Sequence, residues 1–131
     1  MKSPDGKHRA ELTYDGEIRF GPVYYTLGLD GLKIRGRIFG QPLKWSDDSI
    51  YLATQEWLTI DYQQGPITRI ALFDIPNKLI SEFKTIVKGY AEQFVFEGNI
   101  LIYRKSYQGE GIIKEVEVNI SKIDNWKSIG L

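Results

Sequence analysis

The chain has 131 residues, balances 17 lysines and arginines against 17 aspartates and glutamates, and contains no cysteine. That length suits one domain, which buries roughly two thirds of the surface of its unfolded chain and needs no covalent staple. Balanced charge leaves no net field to draw the chain to nucleic acid or an anionic membrane, and the lack of cysteine excludes disulfides, thiolate metal sites and cysteine nucleophiles.

From the N-terminus, "MKSPDGK" is polar with no apolar leader segment, and nowhere is there a run of about 18 apolar residues such as a membrane helix requires. A single cytoplasmic domain over residues 1–131 is expected. Short apolar runs rich in β-branched and aromatic residues predict strands near 8–14, 22–29, 33–38, 50–58, 67–75, 79–84, 91–97, 99–107 and 112–120. Between them lie turn signals: "PDG" at 4–6, "DG" at 15–16 and 30–31, "GQP" at 40–42, "QGP" at 64–66, "PN" at 76–77 and "EGN" at 97–99. Segment 79–87, "LISEFKTIV", also fits one face of a helix. It follows "IALFDIPNK" in hairpin order and lacks a good helix cap, so a strand is the expectation.

Ser3, Asp5 and Ala10 recur as Ser46, Asp48 and Ala53, all at an offset of 43 residues. The second copy continues through Trp45-Ser46-Asp47-Asp48-Ser49, "IYLATQ" and "RIALFDIPNK", and "FVFEGNILIYRK" has the form of a degenerate third, with Phe96 for the aromatic and Gly98-Asn99 for the turn. This order resembles a β-propeller blade of the TolB-like kind, and the offset lies within the length of such repeats. About three units are too few to close a propeller, which needs at least about four blades. Strands that cannot close in a ring bury their inner faces by packing sheet on sheet. The expected fold is therefore all-β: an antiparallel two-sheet sandwich built from about three blade-like hairpin units, not a closed propeller, with at most one short helix.

Catalytic constellations are thin. His8 is the lone histidine, set beside a basic residue near an N-terminus expected to fray, and it has no histidine partner for a metal. "YQGEGIIK" holds Gly109-x-Gly111 without a third glycine and reads as a hairpin turn rather than a phosphate cradle. Asp47, Asp48 and Ser49 do not follow a calcium-loop spacing and read as a capped turn. Nothing in the sequence selects two of the seventeen carboxylates as an acid and base pair.

Charge is unevenly spread. Residues 45–75 hold Arg69 alone against Asp47, Asp48, Glu56, Asp61 and Asp74. Strand alternation sends Leu52, Thr54, Glu56 and Leu58 to one face and Ala53, Gln55 and Trp57 to the other, so either face carries a polar side chain among apolar ones. On one reading Trp57 packs in the core or along a sheet edge and Glu56 is solvated or paired with an arginine. On the other, Asp47, Asp48, Glu56, Trp57, Asp61 and Tyr62 form an acidic, aromatic binding surface. "EIRFGPVYY" poses the same choice for Glu17, Arg19, Phe20, Tyr24 and Tyr25 between core and binding face.

Taken as a whole, "SPDGKHRAEL", "GEIRFGPVYY", "RIFG", "LKWSDDSIYLATQEWL" and "GPITRIALFDI" in this order make the chain similar to small bacterial immunity proteins of contact-dependent inhibition systems. The resemblance implies a cytoplasmic, non-enzymatic inhibitor that covers the active site of a toxin, often a nuclease, whose basic surface an acidic inhibitor would match. From the residues themselves no cofactor or metal and no direct contact with nucleic acid or membrane is expected, and one core with no cysteine or heptad is expected to be a monomer when alone. The alternatives are a scaffold β module whose strand edges are completed by other copies, and a small carbohydrate or metabolite enzyme or binder that uses carboxylates.

Overall fold

The computed structural model describes residues 1–18, 21–61, 63, 65–109 and 111–130. Its strands are β1 (Ala10–Glu17), β2 (Val23–Leu29), β3 (Leu32–Lys33), β4 (Ile38–Trp45), β5 (Tyr51–Trp57), β6 (Ile67–Asp74), β7 (Leu79–Glu82), β8 (Ile86–Val87), β9 (Gly89–Glu97), β10 (Ile100–Tyr107), β11 (Ile113–Asn119) and β12 (Lys127–Ser128). A single turn of 3-10 helix, Ile120–Lys122, separates the last two. The large sheet runs β1-β2-β4-β5-β6-β7-β12, with β3 paired to β2 and β8 to β6, and the small sheet runs β11-β10-β9. Both are antiparallel, and neither closes into a ring.

β5 and β6 are buried on both faces, so the apolar run "IALF" of β6 shows no alternation, and Thr54, Gln55 and Glu56 of β5 are buried polar groups that need partners. Leu52, Ala71 and Phe73 point into one core with Ala10, Leu27, Phe39, Trp45 and Ile80, drawn from β1, β2, β4 and β7. Ala53, Ile70 and Leu72 point the other way, into a second core with Ala91, Phe94, Leu101 and Tyr103 of the small sheet. Packing two sheets leaves polar groups between them that need partners. Gln55 supplies one set: its Oε1 accepts from the Ala91 N–H at 2.8 Å, and its Nε2 donates to the Gln41 carbonyl at 3.0 Å. The Thr68 hydroxyl donates to the Gly89 carbonyl at 2.8 Å. Gly89 has no room for a side chain, since a Cβ there would lie 2.7 Å from the Ser106 carbonyl.

The repeat is real at the level of hydrogen bonds. The Ser3 hydroxyl donates to Asp5 Oδ1 at 2.7 Å, Asp5 Oδ1 accepts from the Lys7 N–H, and Ser3 Oγ accepts from the His8 N–H. Forty-three residues on, the Ser46 hydroxyl donates to Asp48 Oδ1 at 2.6 Å, Asp48 Oδ1 accepts from the Ile50 N–H, and Ser46 Oγ accepts from the Tyr51 N–H. Gly6 and Ser49 occupy the same left-handed position, with φ of 74° and 65°. Each turn leads into a strand that begins by burying Ala10 or Ala53.

Two expected turns are bulges. Asp15-Gly16 lies inside β1, where pairing passes from Tyr14↔Tyr25 to Gly16↔Tyr24. "GQP" lies inside β4, where pairing passes from Gly40↔Gln55 to Leu43↔Thr54 across a cis Gln41–Pro42 peptide. A proline cannot donate to a ladder, and a bulge is where a strand tolerates one. The strand expected at 33–38 accordingly begins later, at Ile38, and continues to Trp45. Segment 79–87 is extended, as β7 and β8, with the Phe83 N–H bonded to the Ile70 carbonyl at 2.9 Å. "FVFEGNILIYRK" is the hairpin of β9 and β10. The N-terminus is held: His8 bonds Asp30 at 2.8 Å and stacks on Trp45.

Gly40 is placed so that a Cβ would lie 2.5 Å from Trp57 Nε1 and 3.2 Å from its Cδ1. Gly40→Ala must push the buried indole out of its seat, and overpacking of this kind costs about 1–3 kcal/mol. Chemical denaturation should read that loss, and an unchanged midpoint would mean that the indole moves freely.

Candidate functional site

Of the six residues singled out by sequence, the five that are described do not form one surface. Asp47 and Asp48 sit in the turn before β5, and Glu56 and Trp57 end that strand, so its length, roughly 20 Å at about 3.3 Å per residue, separates the two pairs. Asp61 is exposed in the following loop, where it accepts from the Gln63 N–H at 3.0 Å. Tyr62 lies outside the described residues, as do Arg19 and Phe20 of "EIRFGPVYY".

Glu56 is a clamp rather than a surface acid. Its side chain is 4% exposed, and both oxygens accept from Arg37 Nη1 at 3.0 Å while Oε1 accepts from Arg69 Nε at 2.8 Å. Glu82 of β7 takes a second bond from Arg37 at 2.9 Å and is also held by Arg69 and by Lys127 of β12. The cluster therefore joins Arg37 to four neighbouring strands, and its three cations exceed its two carboxylates by one charge. Its end of the sheet borders a groove of about 610 Å³ with the exposed side chains of Arg35, Leu58 and Ile60. Of the two readings of Glu56, the structure holds the one in which it pairs with arginine, Arg69 from its own segment and Arg37 from outside it. Trp57 is buried, edge-on to Tyr90 with ring centres 5.6 Å apart.

Burial pulls the Glu82 carboxyl up, but the bonds from Lys127 and Arg37 and the charge of Arg69 outweigh it and bring it down to about 2, against 4.5 when unfolded. Between those values the unfolded chain binds more protons than the fold. The stabilisation is thus complete above about pH 4.5 and disappears as the pH falls through about 2. It amounts to roughly 3 kcal/mol. Urea unfolding between pH 6 and pH 2 should show the parent losing about that much more than Glu82→Gln. Parallel pH profiles would remove the clamp as the cause.

At the opposite end of β5 the two repeated turns touch. The Asp5 N–H donates to Ser49 Oγ at 2.9 Å, which joins the turn that carries Asp5 to the turn that carries Asp47 and Asp48. Asp5 and Asp48 each spend one oxygen on their own turn, and Asp47 is exposed. The hydrogen bond from Ser3 and that from the Lys7 N–H keep the Asp5 carboxyl below the usual range. Asp74 stands opposite Tyr51 across the β5–β6 ladder and holds the Asn77 side chain at 3.0 Å. Burial, then the charges of Asp74 and Asp48, push the Tyr51 hydroxyl up, so this ring lies in a negative field. Tyr51 stacks on Trp126 at 6.1 Å, and both rings are half-buried.

This edge is acidic and aromatic, as the sequence suggested, but with different members. The offset of 43 residues pairs Asp5 with Asp48 and was a signal for it. Tyr51 and Asp74 follow from hairpin register, whereas Trp126 arrives from the C-terminal tail with no signal in sequence.

As a catalytic pair, Glu56 and Glu82 are poorly suited, because a general acid needs a raised pKa and the Glu82 carboxyl is lowered, while the Glu56 oxygens are taken up by Arg37 and Arg69. Among the described residues no group of three or more His, Cys, Asp or Glu could hold a metal ion. Among the described residues no helix is long and apolar enough to cross a membrane. Compared with protein-family models, with curated proteins and with solved structures, the chain finds no match.

Proposed function

We propose that the chain is a non-enzymatic binding protein of the cytoplasm, monomeric when alone, that acts as an immunity protein by covering the active site of a basic toxin. The edge made by the two repeated turns is the contact. The observation that carries this reading is the bond from the Asp5 N–H to Ser49 Oγ, which joins the turn of Asp5 to the turn of Asp47 and Asp48 at the end of β5 where Tyr51 stacks on Trp126. Aromatic anchors beside charges are the composition of interface hot spots, and acidic charges speed the approach of a basic partner such as a nuclease. The commitment of Glu56 and Glu82 to arginine counts against the carboxylate-enzyme alternative.

The test is to express the protein encoded beside this chain's gene with and without the chain. Toxicity relieved by co-expression, with a one-to-one complex, is the expected result. Asp47→Lys, at an exposed position, should leave the melting curve alone and weaken that complex about tenfold or more at low salt, with less effect at high salt. No toxicity, or binding indifferent to Asp47→Lys, would defeat the reading.

A further inference from the structure

β1 ends the large sheet on one side, and its outer edge is only partly paired. The Met1 amino group donates to the Ala10 carbonyl at 2.8 Å, and the Ala10 N–H donates back to Met1 at 2.9 Å. Lys2 bridges Arg9. In an antiparallel ladder successive residues bond to alternate sides. The Arg9 carbonyl accepts from Asp30 on the inner side while Ala10 bonds outward. The register Leu12↔Leu27 and Tyr14↔Tyr25 then turns the N–H and C=O of Leu12 and Tyr14 outward as well. Among the described residues no strand stands opposite them.

The internal repeat indicates what fits there. β1 follows its Ser-x-Asp turn as β5 follows its own, and the strand on the matching side of β5 is β4, through Trp45↔Leu52, Lys44↔Ala53 and Leu43↔Thr54. At the offset of 43 residues, Met1 and Lys2 take the places of Lys44 and Trp45. Beyond them the edge opens on a groove of about 550 Å³ lined by Met1, Leu12, Gln41, Pro42 and Leu43, among others.

Leu12 and Leu43 pack against the first core, and Tyr14, 61% exposed, carries the same inward row out to solvent. The outward row holds Glu11 and Thr13, both exposed, and the exposed Asp15 follows in the bulge. A strand laid here therefore needs apolar residues on one face and basic ones on the other. β4 itself reads apolar, basic, apolar at Leu43-Lys44-Trp45. A second copy of β1, paired antiparallel about Thr13, would bring Glu11 of each copy toward the Asp15 bulge of the other, and like charges brought together repel.

We propose that the outer edge of β1 takes up an extended segment of a partner protein in which apolar residues alternate with lysine or arginine. The main chain of the segment continues the ladder begun at Ala10, its apolar side chains fill the groove, and its basic ones meet Glu11 and Asp15. The inference rests on the binding reading in taking the segment from another protein.

The probe is a synthetic peptide alternating leucine and lysine over about eight residues, with a leucine–glutamate peptide as control. Adding the basic peptide should slow hydrogen exchange at the Leu12 and Tyr14 amides by about tenfold or more, and the acidic one should not. Tyr14→Pro removes an outward N–H without touching the ladder to β2, so it should weaken peptide binding about tenfold with the melting curve unchanged. Asp47→Lys should leave peptide binding alone. If Asp47→Lys alone abolished it, the partner would dock at the turns and the β1 inference would fail while the binding reading stood. Self-association that protects the same amides without peptide would make a second copy the occupant and overturn the proposal. Unchanged exchange at saturating peptide would overturn it too.

Discussion

Glu56→Ala is expected to cost about 3–5 kcal/mol in urea unfolding, because it leaves the guanidinium groups of Arg37 and Arg69 without the carboxylate that lies between them. The size of the effect comes from burial. Arg9 and Glu11 form a comparable pair at 3.3 Å, but both side chains are more than half exposed, so Glu11→Ala should cost no more than about 1 kcal/mol. Removing one arginine together with Glu56 should recover part of the loss, since most of it is the cost of an uncompensated charge rather than the worth of the pair. If Glu56→Ala and Glu11→Ala unfold at the same urea concentration, the clamp is solvated and the sheet does not depend on it.

Trp45→Ala should cost about 3–5 kcal/mol. Trp45 ends β4, pairs with Leu52, and packs with Phe39, Leu52 and Phe73 in the core on one face of the large sheet. His8 stacks on its ring from the first repeated turn, so the substitution also loosens the contact between the two repeats. Asp47, two residues on, is exposed, and Asp47→Asn should change stability by a few tenths of a kcal/mol at about the noise of the measurement. Trp45→Ala melting like the parent would mean that the turn does not depend on its aromatic, and the hairpin account of the repeat would fail.

What the sequence determined by itself was local. Alternation and β-branched runs predict most strands within a few residues of where they lie, and the Ser-x-Asp spacing predicts two turns whose hydrogen bonds match atom for atom. Such features depend on neighbours no more than about six residues apart, which one sequence displays. That the sheets do not close into a ring followed from the repeat length and the chain length together, because 131 residues hold only about three units of 43.

Only the tertiary structure decided which side chains meet. "DG" at 15–16 and "GQP" at 40–42 carry turn chemistry, yet each became a bulge because the strands on both sides continue pairing with a neighbour. The sequence leaves Glu56 open between an exposed acid and an arginine partner, and the fold pairs it with Arg69 of its own segment and with Arg37 from outside it. Trp126 reaches Tyr51 only because the chain returns after the small sheet to lay β12 beside β7. Charge and burial at a position are sums over everything that packs there, so they are set by the contacts between distant segments and not by the order of residues within any one of them.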